Sequence, residues 1–549
     1  MISNDPRLKK SFDPSVTNWF NVLHDMRACH ILKLGTGSEN TIQSILAWGC
    51  TSLVCVGPPS DVSHPALSCF GALEEIHGFS FDICLIDEFE VLKRKSKGQL
   101  MALLAQIYTR LSHEGVLMIG LPNGIGDLAL KRALNFCLKT SGYTAIDTYY
   151  CEPEFQRPWV IFPDAMPKIQ YFKLLFGMFY IEPTLRRYLK AFFKTCSAVF
   201  LPTVSSLVGT MLVAHKHIDK HVVSDGVPLR FAEAGLSRNT PGHCVWLAKA
   251  HEGKHLAFVI GESKKNAPVS AVAKQISVAY SGSDTIRQEH RNLQMLVPFS
   301  EDFKRHGFVI PRPIGYALLQ GKPLSLETGL SGQPLARLKH GWLRDPVVLA
   351  RHVNRLVSIL IHVHDALTRR LRDSASVIPD RYYENSSNLP DAYSQAPVRN
   401  AGYRGMVQHG DFTDVNIVYD ENKDLWGIFD WEWMGTGFPP FFDLYFLLAS
   451  LGFRSTTAGD LDHLGNYRQS MIETFYSKNW FSDLAVSMIT TYARFFDVPV
   501  EKCRDYFWDF LLFQYNKHRL DYQSPGYTEL FESMLAYAIA HPHAFIMSQ

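Results

Sequence analysis

Three oxygen-bearing side chains stand close together late in the chain. The segment VQHGDFTDVNIVYDENKDLWGIFDWEW (407–433) places Asp411 directly after His409-Gly410, Asn416 five residues on, and Asp430 at the end of an apolar run. Phosphoryl transfer asks the protein for little covalent chemistry. It needs a carboxylate to position an acceptor hydroxyl, and metal ions that bridge the nucleotide phosphates. Asp411 can supply the first. Asn416 and Asp430 are hard oxygen ligands suited to Mg²⁺.

Those residues need a scaffold that brings a loop and a strand end together. The spacing predicts a hairpin with strands 417–420 and 425–429 around the turn Glu421-Asn422-Lys423-Asp424, which folds Asp430 back toward Asn416. Upstream, the texture is β-rich from about 222 to Lys274 and mostly helical after 340, with a long polar loop over 372–404. Trp431 and Trp433 flank Asp430 and read either as substrate-stacking residues or as core. His362 and His364, two apart on a predicted helix, face different ways and read as packed or solvated.

The segment resembles the aminoglycoside phosphotransferase and choline kinase superfamily, whose signature is HGDxxxxN followed by a strand ending I/F-D-W-E. The resemblance covers roughly 225–549. It implies an α+β bilobal protein-kinase-like domain over 222–549, with an N-lobe over about 222–325 and a C-lobe over about 335–549. It also implies roles for further residues. SAVAKQIS (270–277) presents Lys274 to the nucleotide phosphates, and DTIRQEHRNLQML (284–296) presents Glu289 as that lysine's partner. PRPIGYA (311–317) and LSLETGLSGQPL (324–335) resemble a strand and the inter-lobe hinge that holds adenine. The implied reaction moves the γ-phosphate of ATP to an alcohol, with Asp411 catalytic and Asn416 and Asp430 holding Mg²⁺. The phosphate-covering loop stays open between GLSRNTPGH (235–243) and HEGKH (251–255). The acceptor is expected to be a small molecule, a glycan or a lipid-linked hydroxyl.

The first 165 residues alternate differently. HILKLG (30–35), SLVCVG (52–57), FDICLID (81–87) and GVLMIGLPN (115–123) are separated by helical stretches, including one around 97–112. That order predicts a parallel sheet with crossover helices. HILKLGTGSEN resembles the first strand and glycine turn of a class I S-adenosylmethionine methyltransferase, and the likeness covers about 1–215. It implies an α/β Rossmann-like fold, with Gly35, Gly37 and Asp87 as candidate contacts to S-adenosylmethionine. Two departures argue for a vestigial domain serving as scaffold. Gly57 stands where an acid would bind the ribose hydroxyls, with Asp61 four residues later, and Glu39-Asn40 replaces the third glycine. A bifunctional kinase–methyltransferase and a membrane-peripheral nucleotide-binding scaffold are the alternative readings.

Between the two parts, 168–194 mixes Phe172, Phe176, Phe179, Phe192 and Phe193 with Lys168, Lys173, Arg186, Arg187, Lys190 and Lys194. Such helices could contact a membrane surface. The uncharged run 195–214 carries Pro202 and ends in GTMLVAHKH, which reads as a last sheet strand instead of a span. Lys plus Arg is 55 and Asp plus Glu 53, so nothing asks for a nucleic-acid partner. With 46% hydrophobic residues, disorder is excluded. Ten scattered cysteines without a CxxC pair, and an N-terminus without an apolar signal core, are the features of a cytoplasmic chain.

Overall fold

The computed structural model describes residues 29–548 outside 36–38, 48–49, 58–61, 89, 94, 122–126, 153–159, 165–208, 218–230, 232–234, 236–242, 250–253, 261–268, 277–282, 320–321, 343–344, 385–404, 453–462 and 523. Two compact units divide the chain: Met1–Arg287 with Pro313–Gly329, and Gln288–Arg312 with Leu330–Gln549.

In the first unit the apolar runs become strands, as expected. The order is β1 (His30–Leu34), α1 (Glu39–Ala47), β2 (Ser52–Val56), β3 (Leu67–Phe70), β4 (Phe81–Ile86), α2 (Lys97–Arg110), β5 (Leu111–Leu121), α3 (Asp127–Thr140), β6 (Ala145–Glu152), β7 (Val160–Pro163) and β8 (Gly209–His215). Strands β3-β2-β1-β4-β5 run parallel, and β8 pairs antiparallel with both β5 and β6. This is a Rossmann-like sheet. HILKL and FDICLI carry apolar residues on both faces because helices cover both faces of a parallel sheet. Helix α2 starts where Ser96 and Gln99 form a capping box. The run GTMLVAH is strand β8, while 168–194 lies outside the described residues.

The sheet does not end there. Strand β7 pairs antiparallel with β9 (His243–Lys249) at Val160↔Leu247 and Ile161↔Trp246. From β9 it continues through β10 (Lys254–Ile260) and β11 (Val269–Ile276). Beyond α4 (Ser283–Leu296) and β12 (Phe308–Val309), strands β13 (Pro313–Leu319) and β14 (Lys322–Thr328) complete it, giving 13 strands. One apolar layer runs beneath, from Met211 and Val213 through Ile161 and Cys244 to Ala257, Ala271 and Leu324. The expected division between 215 and 222 therefore falls between two strands of one sheet.

The second unit is mostly helical. It contains β15 (Gln333–Pro334), α5 (Leu335–Trp342), α6 (Pro346–Leu371), β16 (Ser376–Val377), β17 (Ile417–Asp420), β18 (Leu425–Ile428), β19 (Gly435–Thr436), α7 (Phe442–Gly452), α8 (His463–Phe475), α9 (Trp480–Phe495), α10 (Cys503–Lys517) and α11 (Pro525–Ala540). The expected hairpin is present, with Ile417 opposite Ile428 and Asp420 opposite Leu425. Helix α6 begins at Pro346 behind Asp345, whose Oδ1 accepts from the Val347 and Val348 amides. By length and hydropathy α6 is long and apolar enough to cross a membrane. Its Leu349, Val353, Leu356, Leu360 and Leu367 instead build the core of this unit.

Candidate active site

The loop His409–Asn416 joins a bridge at Gln408 to the hairpin. Gly410 has φ +83, and a Cβ there would lie 2.7 Å from both Phe438 Cζ and Trp433 Cβ, so glycine alone fits. Asp443 at the start of α7 is fully buried. Its Oδ2 accepts from the His409 amide at 2.7 Å and its Oδ1 from the Gly410 amide at 2.8 Å. His364 of α6 places Nε2 2.9 Å from Oδ2 of the same carboxylate, and Nδ1 lies 2.6 Å from the Tyr492 hydroxyl. A buried carboxylate that takes two backbone amides and an imidazole fixes the path of the chain entering Asp411.

His409 itself is buried. Its Nδ1 accepts from the Asp411 amide at 3.2 Å, and Nε2 lies 3.0 Å from the Phe429 carbonyl, which fixes the neutral Nε2–H tautomer. Burial pulls its pKa below the ordinary histidine value against the opposing pull of Asp443, Asp411 and Asp430. The imidazole ties the loop to the strand end before Asp430.

Asn416 donates through Nδ2 to the carbonyl and to Oδ2 of Asp411, both at 3.0 Å. With its NH₂ committed, the amide oxygen is the atom left for a cation. The Asn416 carbonyl accepts from the Phe429 amide at 3.1 Å, so the loop and the end of β18 are held side by side. Asp430 then adopts φ 67, ψ 56 at the head of a short 3₁₀ turn, Trp431–Trp433. A left-handed non-glycine residue costs of order 1–3 kcal/mol and persists where its surroundings impose it. The structure thus brings Asp411, Asn416 and Asp430 to one place. Trp431 is core, its indole N–H bonded to the Ile428 carbonyl. Trp433 carries the Lys517 ammonium 4.2 Å from its ring centre.

Lys274 lies on β11 in the first unit, buried, with Nζ 3.1 Å from Glu327 Oε1 on the neighbouring β14. Glu289, its expected partner, is a buried residue of α4 in the other unit. Of the two candidate phosphate loops, 236–242 and 251–253 lie outside the described residues.

At the other end of the first unit, Gly35 closes β1 with φ +108 and donates its amide to the Val56 carbonyl at 3.0 Å. Gly37 and Asp61 lie outside the described residues. Asp87 is not open to a ligand on all sides. The buried Lys33 ammonium sits 2.7 Å from its Oδ1, pulling down a carboxyl that burial pushes up. A Cβ on Gly35 would meet the Glu88 carboxylate at 2.7 Å, so Glu88 covers the glycine turn. Among the described residues, β2 is followed by Gly57 with no acid at its end, Lys33 pairs with Asp87, and the Glu88 carboxylate lies over Gly35.

Asp302, His306 and His362 gather polar atoms within 4.8 Å of one another. The two imidazoles stack at 3.4 Å and 17°, so no cation can lie near both ring planes. His362 instead bonds Asp302 at 2.9 Å.

Sequence reading does not single out Asp443 or Glu327, and it reads His364 as packed or solvated, not as a partner of Asp443. A single acid in the apolar helix FDLYFLLASLG was the available signal, because a buried charge must be partnered.

Residues 270–473 match the family described as phosphotransferase enzyme family. No match is found among curated proteins. Among solved structures, aminoglycoside phosphotransferase APH(3'')-Id from Streptomyces rimosus in complex with ADP and streptomycin is 15% identical. The match covers 49% of this chain and 92% of that one, with a TM-score of 0.27. The bifunctional kinase-methyltransferase WbdD is 12% identical over 90% of this chain and 89% of its own, TM-score 0.25. A spermidine synthase bound to the transition-state analogue AdoDATO is 14% identical over 38% of this chain, TM-score 0.24; only 62% of that structure's length is covered.

Proposed function

We propose, from the match of residues 270–473 to the phosphotransferase enzyme family, that the chain is an ATP- and Mg²⁺-dependent kinase that moves the γ-phosphate to an alcohol. The observation that carries this reading is the Asp411–Asn416 hydrogen-bonded pair, tied through the Phe429 amide to the strand that delivers Asp430. In this account Asp411 orients the acceptor hydroxyl and takes its proton late in transfer. Asn416 and Asp430 hold Mg²⁺, which would neutralise charge building on the phosphates. Lys274 is the residue we assign to the α and β phosphates, with Glu289 as the partner that the family resemblance implies.

The acceptor we propose is a hydroxyl of a small molecule, a glycan or a lipid-linked sugar. The kinase part is assigned to 222–549, and 1–215 to a methyltransferase-like domain that serves as scaffold. Lys33, Gly57 and Glu88 support the scaffold reading over methyl transfer. Free cysteines throughout the described residues and the need for ATP support a cytoplasmic setting, with 168–194 as a peripheral membrane contact.

Thermal denaturation with Mg-ATP, with S-adenosylmethionine and with neither tests the assignment. A ligand at a hundred times its dissociation constant adds about 2.7 kcal/mol. The expected result is a rise with Mg-ATP alone. No rise with Mg-ATP would remove the kinase reading, and a rise with S-adenosylmethionine would restore the bifunctional one.

A further inference from the structure

We infer that Lys339, through Asp414, is a positioning residue for the loop that carries Asp411 and Asn416, and that helix α7 grips this loop at both ends. The inference rests on the proposed roles of those two residues. Lys339 is a buried lysine on α5. Its Nζ lies 2.6 Å from Asp414 Oδ2 and donates to the Ser450 carbonyl at 2.6 Å. Asp414 is held at its backbone as well. Its amide donates to Ser450 Oγ at 3.1 Å, and its carbonyl accepts from the Ala336 amide at 3.0 Å. One residue is therefore fixed at side chain, amide and carbonyl by two different helices.

The position of that residue gives the arrangement its meaning. Asp414 stands three residues after Asp411 and two before Asn416. Within the loop, the Thr413 amide donates to the Asp411 carbonyl and the Asn416 amide to the Thr413 carbonyl. A displacement of Asp414 is thus passed to both functional side chains through short backbone links. Ser450 follows Asp443 by seven residues, two turns of α7, so both face the loop from one side of the helix. Asp443 holds its entry and Ser450 its exit. A buried ion pair contributes little net stability over an apolar pair of similar volume. Holding a loop in one place is a role that an apolar pair could not fill here.

The test uses the full chain and the isosteric variant Asp414→Asn, which keeps a hydrogen bond to Lys339 but removes the charge. Ser450→Ala is the milder companion that leaves the ion pair in place. Mn²⁺ bound by the protein in the presence of ATP, followed by the enhancement of water-proton relaxation over that of Mn-ATP alone, reads the metal site without turnover. ATP-dependent turnover gives kcat and KM, and thermal unfolding gives stability. Groups that orient metal ligands typically change affinity or activity by about 10- to 100-fold when altered. Asp414→Asn is expected to weaken Mn²⁺ and lower kcat within that range, with KM for ATP little changed and Ser450→Ala in between. If both variants unfold earlier but keep Mn²⁺ affinity and kcat within about twofold, the pair is merely structural and the inference falls. Weakened Mn²⁺ binding without turnover in any form of the protein would support positioning while removing the kinase reading. No Mn²⁺ binding by the unaltered protein would remove both.

Discussion

Replacing Asp443 by asparagine changes almost no volume and tests whether the brace on the loop that carries Asp411 is electrostatic. The two carboxylate oxygens divide the work, Oδ2 taking the His409 amide and Oδ1 the Gly410 amide. Asparagine has one oxygen, so one amide loses its acceptor and faces an NH₂ group. A hydrogen bond to a charged partner is worth about 1.5–3 kcal/mol, and a buried unpaired amide costs a similar amount. If half or more of this loss reaches the transition state, kcat falls about 10- to 100-fold, since about 1.4 kcal/mol is tenfold. KM for ATP should move little, because Lys274 belongs to β11 in the other compact unit. The assay is steady-state release of ADP beside thermal unfolding of the same preparations. A variant that unfolds earlier yet keeps at least half of the kcat at a temperature where it is folded would refute the brace.

Other outcomes follow from the same geometry. Burial, then the adjacent Lys517, depresses His518 from 6.5 to about 3. The folded state then binds fewer protons than the unfolded one below 6.5. Its contribution is complete above 6.5 and is lost as pH falls toward 3, by about 1.4 kcal/mol per unit. Urea midpoints at pH 7.5 and 5.5 should draw closer in His518→Phe, which can keep the stacking on Tyr527 and Phe531. His409, His290 and His352 are depressed in the same sense, so the slope should shrink without vanishing, and an unchanged slope would count against this. Gly410→Ala should cost more than about 1 kcal/mol from its φ of +83 alone, and more from the Phe438 and Trp433 contacts; a soluble variant with full turnover would contradict the loop geometry. A fragment beginning at 222 lacks β7 and exposes the edge of β9, so it should self-associate more than the full chain on size-exclusion chromatography. A monodisperse, active fragment would show that the β7–β9 pairing is dispensable.

Much of this was legible in the residues. HILKL, SLVCV and FDICLI read as buried parallel strands because their apolar content leaves no solvent face, and the turn Glu421–Asp424 announced its hairpin. What was not legible is pairing between distant segments. Nothing in VIFP or HCVWLAK says that β7 and β9 meet, since edge pairing uses backbone groups that every residue carries. Strand β3, LSCF, is short and half exposed and left no periodic trace. Partnering of buried charge was partly legible. Lys33 inside HILKL and Asp443 inside FDLYFLLASLG are both anomalies that demand a partner, but the sequence does not say which. For His364 the sequence leaves packed and solvated both open; it is buried and bonds Asp443.

The measurement that bears most directly on the kinase assignment is turnover of γ-labelled ATP by the unaltered chain and by Asp411→Asn, with Mg-ATP binding measured on both. Asparagine can still accept the Asn416 amide but cannot take a proton from a hydroxyl. Label transfer should be abolished while nucleotide binding stays nearly intact. An undiminished rate in Asp411→Asn would contradict the kinase assignment.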